Sequence, residues 1–149
     1  MSTQSAPLVE SFLPAALHPG LQEEAAVYQA RPIVERLRQG LPLAEFRTLQ
    51  ELLDIPEEEL GRLLGISPAT LNRRKKARRF AMPESERIVR FARLFGLAMD
   101  VFEAEEAARE WLKTSNPGTA NEAPLSYADT EFGAREVENL LGRIDHGIF

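Results

Sequence analysis

The 149-residue chain contains no cysteine, which excludes disulfides, thiolate metal sites and thiol catalysis. Its two histidines, His18 and His146, lie at opposite ends of the sequence and have no metal-ligand spacing. No apolar run approaches the roughly 20 residues that span a bilayer. The N-terminal MSTQSAPLVESFLPAAL lacks the basic start and unbroken apolar core of a secretory signal. There is also no alternating strand pattern of useful length, no internal repeat and no phosphate-binding glycine loop. The serines have no obvious base beside them, and Glu57-Glu58-Glu59 and Glu105-Glu106 read as solvated helix faces. These absences predict an all-α cytoplasmic protein that is not an enzyme, with no cofactor, metal, membrane contact or small-molecule substrate.

What is present is enough apolar content, 44%, to bury a core, and a strongly uneven charge. Nine of the 18 basic residues fall between Arg73 and Arg93 (Arg73, Arg74, Lys75, Lys76, Arg78, Arg79, Arg87, Arg90 and Arg93), against only Glu84 and Glu86. That segment carries +7, so a chain of net charge −5 carries −12 elsewhere. Such polarisation suggests one face for an anion and others that avoid it.

Pro7, Pro14, Pro19 and Gly20 interrupt the first 20 residues, so 1–20 is expected to be a flexible arm. Helical patterns follow over 21–30, 32–39, 43–54, 57–64, 67–76 and 84–95. Gly96 then introduces an apolar stretch, Leu97 to Phe102, that leads into a helix over 103–114. Residues 115–126 read as a loop and 133–144 as a last helix. The domain expectation is a helix-turn-helix DNA-binding and dimerisation bundle over 21–102 and a small C-terminal helical domain over 103–149.

The most informative stretch is Ile55 to Lys76, IPEEELGRLLGISPATLNRRKK. Pro56 and three glutamates suit a first helical turn, where the macrodipole favours carboxylates. Gly61 permits a second helix to cross closely, and Gly65 can take the left-handed conformation that turns the chain. Ser67 can cap the next helix, Pro68 can start it and Leu71 points inward. This is the layout in which a second helix enters the major groove. The candidate DNA-binding residues are Ser67, Thr70, Asn72, Arg73, Arg74, Lys75, Lys76, Arg78 and Arg79. Asn72 and Arg73 suit adenine and guanine edges, and the basic run suits phosphate. A solvated basic face, or a patch for RNA or an acidic protein, is the alternative. Arg74 and Lys75 also stand where a recognition helix usually has apolar residues, so either their stems snorkel, the helix is short, or Phe80 and Met82 complete the core.

From about Gly40 to the C-terminus the chain resembles the antitoxins of the Xre/MbcA/ParS family. The resemblance is carried by the Glu84-Ser85-Glu86-Arg87 helix start, Trp111-Leu112 before Asn116-Pro117, the Pro124-Leu125 restart, Gly133, and the closing Val137, Leu140, Leu141, Arg143, Ile144 and Gly147. The chain departs from the family in having Glu122-Ala123, without glycine, before the restart proline. The resemblance implies a repressor of its own operon that also silences a cognate toxin. That toxin is expected to be a RES-domain protein that destroys NAD⁺, its active-site entrance covered by the antitoxin. Partners are then operator DNA, the toxin, and a second copy in a homodimer and a higher toxin-antitoxin complex. Candidate toxin-binding residues are Leu140, Leu141, Arg143, Ile144, His146, Gly147, Ile148 and Phe149. Leu140, Leu141 and Ile144 make an apolar ridge, and Ile148-Phe149 with the terminal carboxylate make a small amphipathic plug. The same ridge also reads as ordinary core, and Trp111 as a core anchor. The alternatives to an antitoxin are a stand-alone helix-turn-helix regulator, or a protein-interaction module without DNA binding.

Overall fold

In the computed structural model, residues 7–13 and 30–147 are described, and the helical expectation over 21–29 lies outside them. Eight α-helices occur among these residues: α1 (Ala30–Gln39), α2 (Leu43–Leu53), α3 (Glu57–Leu63), α4 (Pro68–Ala77), α5 (Met82–Phe102), α6 (Glu105–Lys113), α7 (Pro124–Tyr127) and α8 (Glu131–Asp145). Single 3₁₀ turns, Glu10–Phe12 and Pro117–Thr119, complete the order, and no strand is present among the described residues. The all-α expectation holds.

Helix α5 organises the rest because it is apolar on more than one side. Ile88, Phe91, Ala92 and Phe95 are buried as the spacing implies, and Val89, Leu94, Ala98 and Met99 are buried too. A helix buried this widely needs neighbours around it. α1, α2, α6, α8 and the Glu10–Phe12 turn all pack on α5. One apolar cluster runs from Leu8 through Phe46, Leu60, Phe91 and Leu112 to Leu141.

The helix expected over 84–95 extends further at both ends, and Gly96 does not interrupt it. α5 continues through it to Phe102, 21 residues in all. A Cβ at Gly96 would collide with the Phe12 carbonyl oxygen, so glycine is there to admit the N-terminal turn against the helix. The expected flexible arm is correspondingly docked where it is described: Leu8, Val9 and Leu13 are buried. The Leu8 and Val9 N–H groups donate to Glu45 Oε1 and Oε2 at 2.7 and 2.8 Å. Glu45, 4% exposed, also accepts from Arg36 at 3.3 Å. A buried carboxylate is tolerated because donors surround it.

The C-terminal helices are tied back in the same way. Arg109 Nε donates to the Leu52 carbonyl at 2.8 Å, and Arg109 Nη2 to Glu105 at 2.7 Å. Trp111 is half-buried with its ring centroid 5.6 Å from that of Phe102, as suits a packing anchor. The loop expected over 115–126 folds more tightly than that: Asn116 N–H donates to the Glu122 carbonyl at 3.1 Å, and α7 already begins at Pro124. Its left-handed residues are Ala120 and Asn121, and Ala123 is extended, so no glycine is required before Pro124.

Candidate nucleic-acid and partner interfaces

The turn between α3 and α4 is built as the local chemistry dictates. Gly65 has φ +71, and Ile66 N–H donates to the Gly61 carbonyl at 2.8 Å, closing the end of α3. Ser67 Oγ accepts the Thr70 N–H at 3.2 Å, and Pro68 starts α4, where its missing N–H costs nothing. A Cβ on Gly61 would meet Leu71 Cδ2 at 3.2 Å, so α3 and α4 are indeed in close approach. Leu60, Leu64, Ile66 and Leu71 are buried beneath the turn. The outer surface of α4 is thereby fixed by packing on one side and capping at its start.

The nine candidate DNA-binding residues divide into two groups. Ser67, Asn72, Arg73, Lys76 and Arg78 are exposed, and Thr70 is half-buried at the helix start. Among the described residues the Arg73 side chain donates only to Thr70 Oγ1, at 3.2 Å, and Arg73, Lys76 and Arg78 form no ion pair. Arg74, Lys75 and Arg79 are otherwise engaged. Arg74 Nε donates to Glu84 Oε1 at 2.8 Å, Lys75 Nζ to Glu57 Oε2 at 3.1 Å, and Arg79 Nη1 to the Gly40 carbonyl at 2.7 Å. Arg79 is exposed despite this bond.

The missing apolar residues of α4 are thus explained. Arg74 and Lys75 fold back onto carboxylates, α4 ends with Arg78 in the left-handed conformation, and Phe80 completes the core, stacked on Phe46 at 5.3 Å between centroids. Met82 does not contribute, being 44% exposed.

The basic residues of α5 do not extend this surface as the local charge count suggests. Arg87 donates to the Leu64 carbonyl at 3.0 Å, clamping the turn from behind. Arg90 pairs with Glu131 at 3.2 Å and Arg93 with Glu138 at 2.7 Å, both on α8. Glu131 also pairs with Arg93 at 3.1 Å. Burial raises the Glu131 pKa, but the hydrogen bonds and charges of Arg93 and Arg90 outweigh it and hold this carboxyl below its ordinary value. Glu57 follows the same balance: burial raises it, while hydrogen bonds from Lys75 and Arg47 bring it lower. Among the described residues of the basic run, the exposed cations that form no ion pair therefore lie on α4 and just after it.

At the other end, α8 buries Gly133, Ala134, Val137 and Leu141. Leu141, expected to contact a partner, is 1% exposed and belongs to the core. Leu140 is half-buried beside Gly118, whose Cβ would lie 2.7 Å from Leu140 Cδ2. Ile144 is half-buried, and Arg143, His146 and Gly147 are exposed. Ile148 and Phe149 lie outside the described residues. Phe132 escaped the sequence reading; it is 82% exposed, one residue before the buried stripe begins at Gly133.

Among the described residues no group of three or more His, Asp or Glu could hold a metal ion, and no helix is long and apolar enough to cross a membrane.

Two family descriptions match the chain. Residues 32–93 match an Antitoxin Xre-like helix-turn-helix domain, and residues 97–147 match the Antitoxin Xre/MbcA/ParS C-terminal toxin-binding domain. The two matches meet inside α5, whereas the charge and helix pattern puts the boundary at its end. A protein named Antitoxin Xre from Yersinia enterocolitica is 35% identical over 119 residues, 78% of this chain and 80% of that protein. Another Antitoxin Xre, from Photorhabdus laumondii subsp. laumondii, is 36% identical over 114 residues, 75% of this chain and 77% of its own length.

Proposed function

The chain belongs to the Xre antitoxin family of non-enzymatic, DNA-binding toxin partners, and from that premise we propose that it silences a RES-domain, NAD⁺-degrading toxin and represses its own operon. DNA binding resides in 21–102 and toxin binding in 103–149. The protein acts in the cytoplasm as a homodimer, which matches a two-fold protein to a palindromic operator, and assembles with the toxin into a higher complex.

The observation that carries the DNA half of this reading is the capped α4, with Asn72, Arg73, Lys76 and Arg78 outward and, among the described residues, no carboxylate paired to the three cations. Arg73 and Asn72 read base edges, while Lys76 and Arg78 meet phosphates. Ser67 and Thr70 add hydroxyls at the helix start, and Arg79 reaches the backbone from the strap after α4. Arg74 and Lys75 support α4 and act on DNA through its placement.

For the toxin half, the end of α8 and the residues after it, Leu140, Arg143, Ile144, His146 and Gly147 with Ile148 and Phe149, cover the entrance through which NAD⁺ reaches the toxin. Coverage at the entrance excludes the dinucleotide without any chemistry by the antitoxin.

The test is co-expression with the toxin encoded beside it, followed by growth and intracellular NAD⁺. Full-length chain is expected to restore both, and a variant lacking residues 145–149 to restore neither. Growth arrest and NAD⁺ loss that persist with the full chain would overturn the reading.

A further inference from the structure

The first turn of α8 presents an aromatic side chain that the fold does not use. Phe132 is 82% exposed and takes no part in the apolar cluster, although Gly133, Ala134 and Val137 beside it are buried. A single exposed phenylalanine is ordinary on a protein surface. Its surroundings set this one apart.

Phe132 borders a hollow of about 360 Å³ shared with Tyr127, Thr130 and the carboxylate-bearing Glu122, Asp129 and Glu136. None of these three carboxylates has a cationic partner among the described residues, in contrast to Glu131 and Glu138, which are paired to arginines of α5. The platform is also firm. Thr130 Oγ1 accepts the Gly133 N–H at 3.0 Å, and Gly133 sits so close to Tyr127 that a Cβ there would collide with its carbonyl oxygen.

Residues 132, 136, 139 and 143 share one helix face by their spacing, and Phe132, Glu136, Asn139 and Arg143 are all exposed. The aromatic is therefore on the same face as Arg143, assigned above to toxin contact.

We propose that Phe132 is an anchor for the toxin, entering an apolar pocket whose rim is lined by lysine or arginine. This rests on the toxin-binding reading of the preceding subsection and adds to it the chemistry of the partner's surface. An aromatic with a low ordering cost, ringed by unpaired acids, is complementary to such a pocket and repelled by an acidic one. An entrance that admits an anionic dinucleotide carries cations of the required sign. The acidic hollow thus faces the basic margin of that entrance while α8 continues across it.

The experiment measures binding of purified full-length chain, Phe132→Ala and Glu136→Lys to the purified toxin, with Tm and light scattering on each free protein. Phe132→Ala is expected to weaken binding by about ten-fold or more at unchanged Tm. Glu136→Lys is expected to weaken it most at low salt. Wild-type affinity for Phe132→Ala, together with lost binding on removal of residues 145–149, would overturn the anchor and leave the toxin reading standing. A Phe132→Ala protein that loses its dimer but keeps its toxin affinity would overturn it too, and would assign the patch to a second copy of this chain. Failure of the wild-type chain to bind the toxin would overturn both.

Discussion

Arg74 Nε and Glu84 Oε1 meet at 2.8 Å, and the same carboxylate oxygen accepts the Ala81 N–H at 2.8 Å. One buried glutamate thus starts α5 and holds the end of α4 against it. Glu84→Ala strands a backbone donor and releases Arg74, and is expected to cost about 1–2 kcal/mol. Arg74→Ala should cost less, because its guanidinium is partly solvated and a water can replace it. Urea unfolding of both variants checks the order. Equal losses would place the stabilisation in the ion pair instead of the helix start.

On the exposed side of α4, Arg73 and Lys76 are expected to behave differently. Arg73→Ala should weaken binding to the operator by about 1–3 kcal/mol and relax preference at one base pair. Lys76→Ala should weaken all sequences alike and lower the slope of log K against log salt by about one. Fluorescence anisotropy at several salt concentrations on specific and scrambled DNA separates the two. Identical effects of both substitutions on every sequence would show that Arg73 reads no base.

Much of this surface is legible in the sequence because its causes are local. Gly65, Ser67 and Pro68 lie within four residues of one another, and turn, cap and helix start need no distant partner to be recognised. The roles of Arg87, Arg90 and Arg93 are illegible for the opposite reason. Their partners, Leu64, Glu131 and Glu138, lie 23 to 45 residues away, and nothing in a local charge count separates an arginine that meets phosphate from one that clamps a neighbouring helix. Gly96 is illegible for the same reason: the spacing carries the helix only over 84–95, while the tertiary structure uses the absent side chain to seat Phe12.

That seat gives a direct expectation. Gly96→Ala gains about 1 kcal/mol of helix propensity but places a methyl against the Phe12 carbonyl, an overpacking cost of about 1–3 kcal/mol. The docked turn should give way before α5 does. Hydrogen exchange is expected to show faster exchange at the Leu8 and Val9 amides with α5 still protected. Undiminished protection at those two amides would contradict the close approach.

Acid should loosen two ion-paired junctions. Glu57 and Glu131 have folded pKa values below the ordinary 4.5, despite burial that alone would raise them, because Lys75 with Arg47 and Arg93 with Arg90 stabilise the charged forms. The unfolded chain therefore binds more protons in this range, so their contribution is complete above about pH 4.5 and is lost as pH falls through the lowered folded values. Glu57→Gln and Glu131→Gln should each be less stable than the parent at pH 7, with the gap closing as pH falls below 4.5 through the lowered folded values. Stability curves that run parallel across that range would rule out this linkage.

The most direct measurement for the protein as a whole is NAD⁺ consumption by the purified toxin as this full-length chain is titrated in. Loss of activity that saturates at a fixed antitoxin-to-toxin ratio is expected, since an occluded entrance is blocked by binding alone. Undiminished NAD⁺ consumption at a saturating excess of the chain would contradict the claim that it neutralises the toxin by covering its active site.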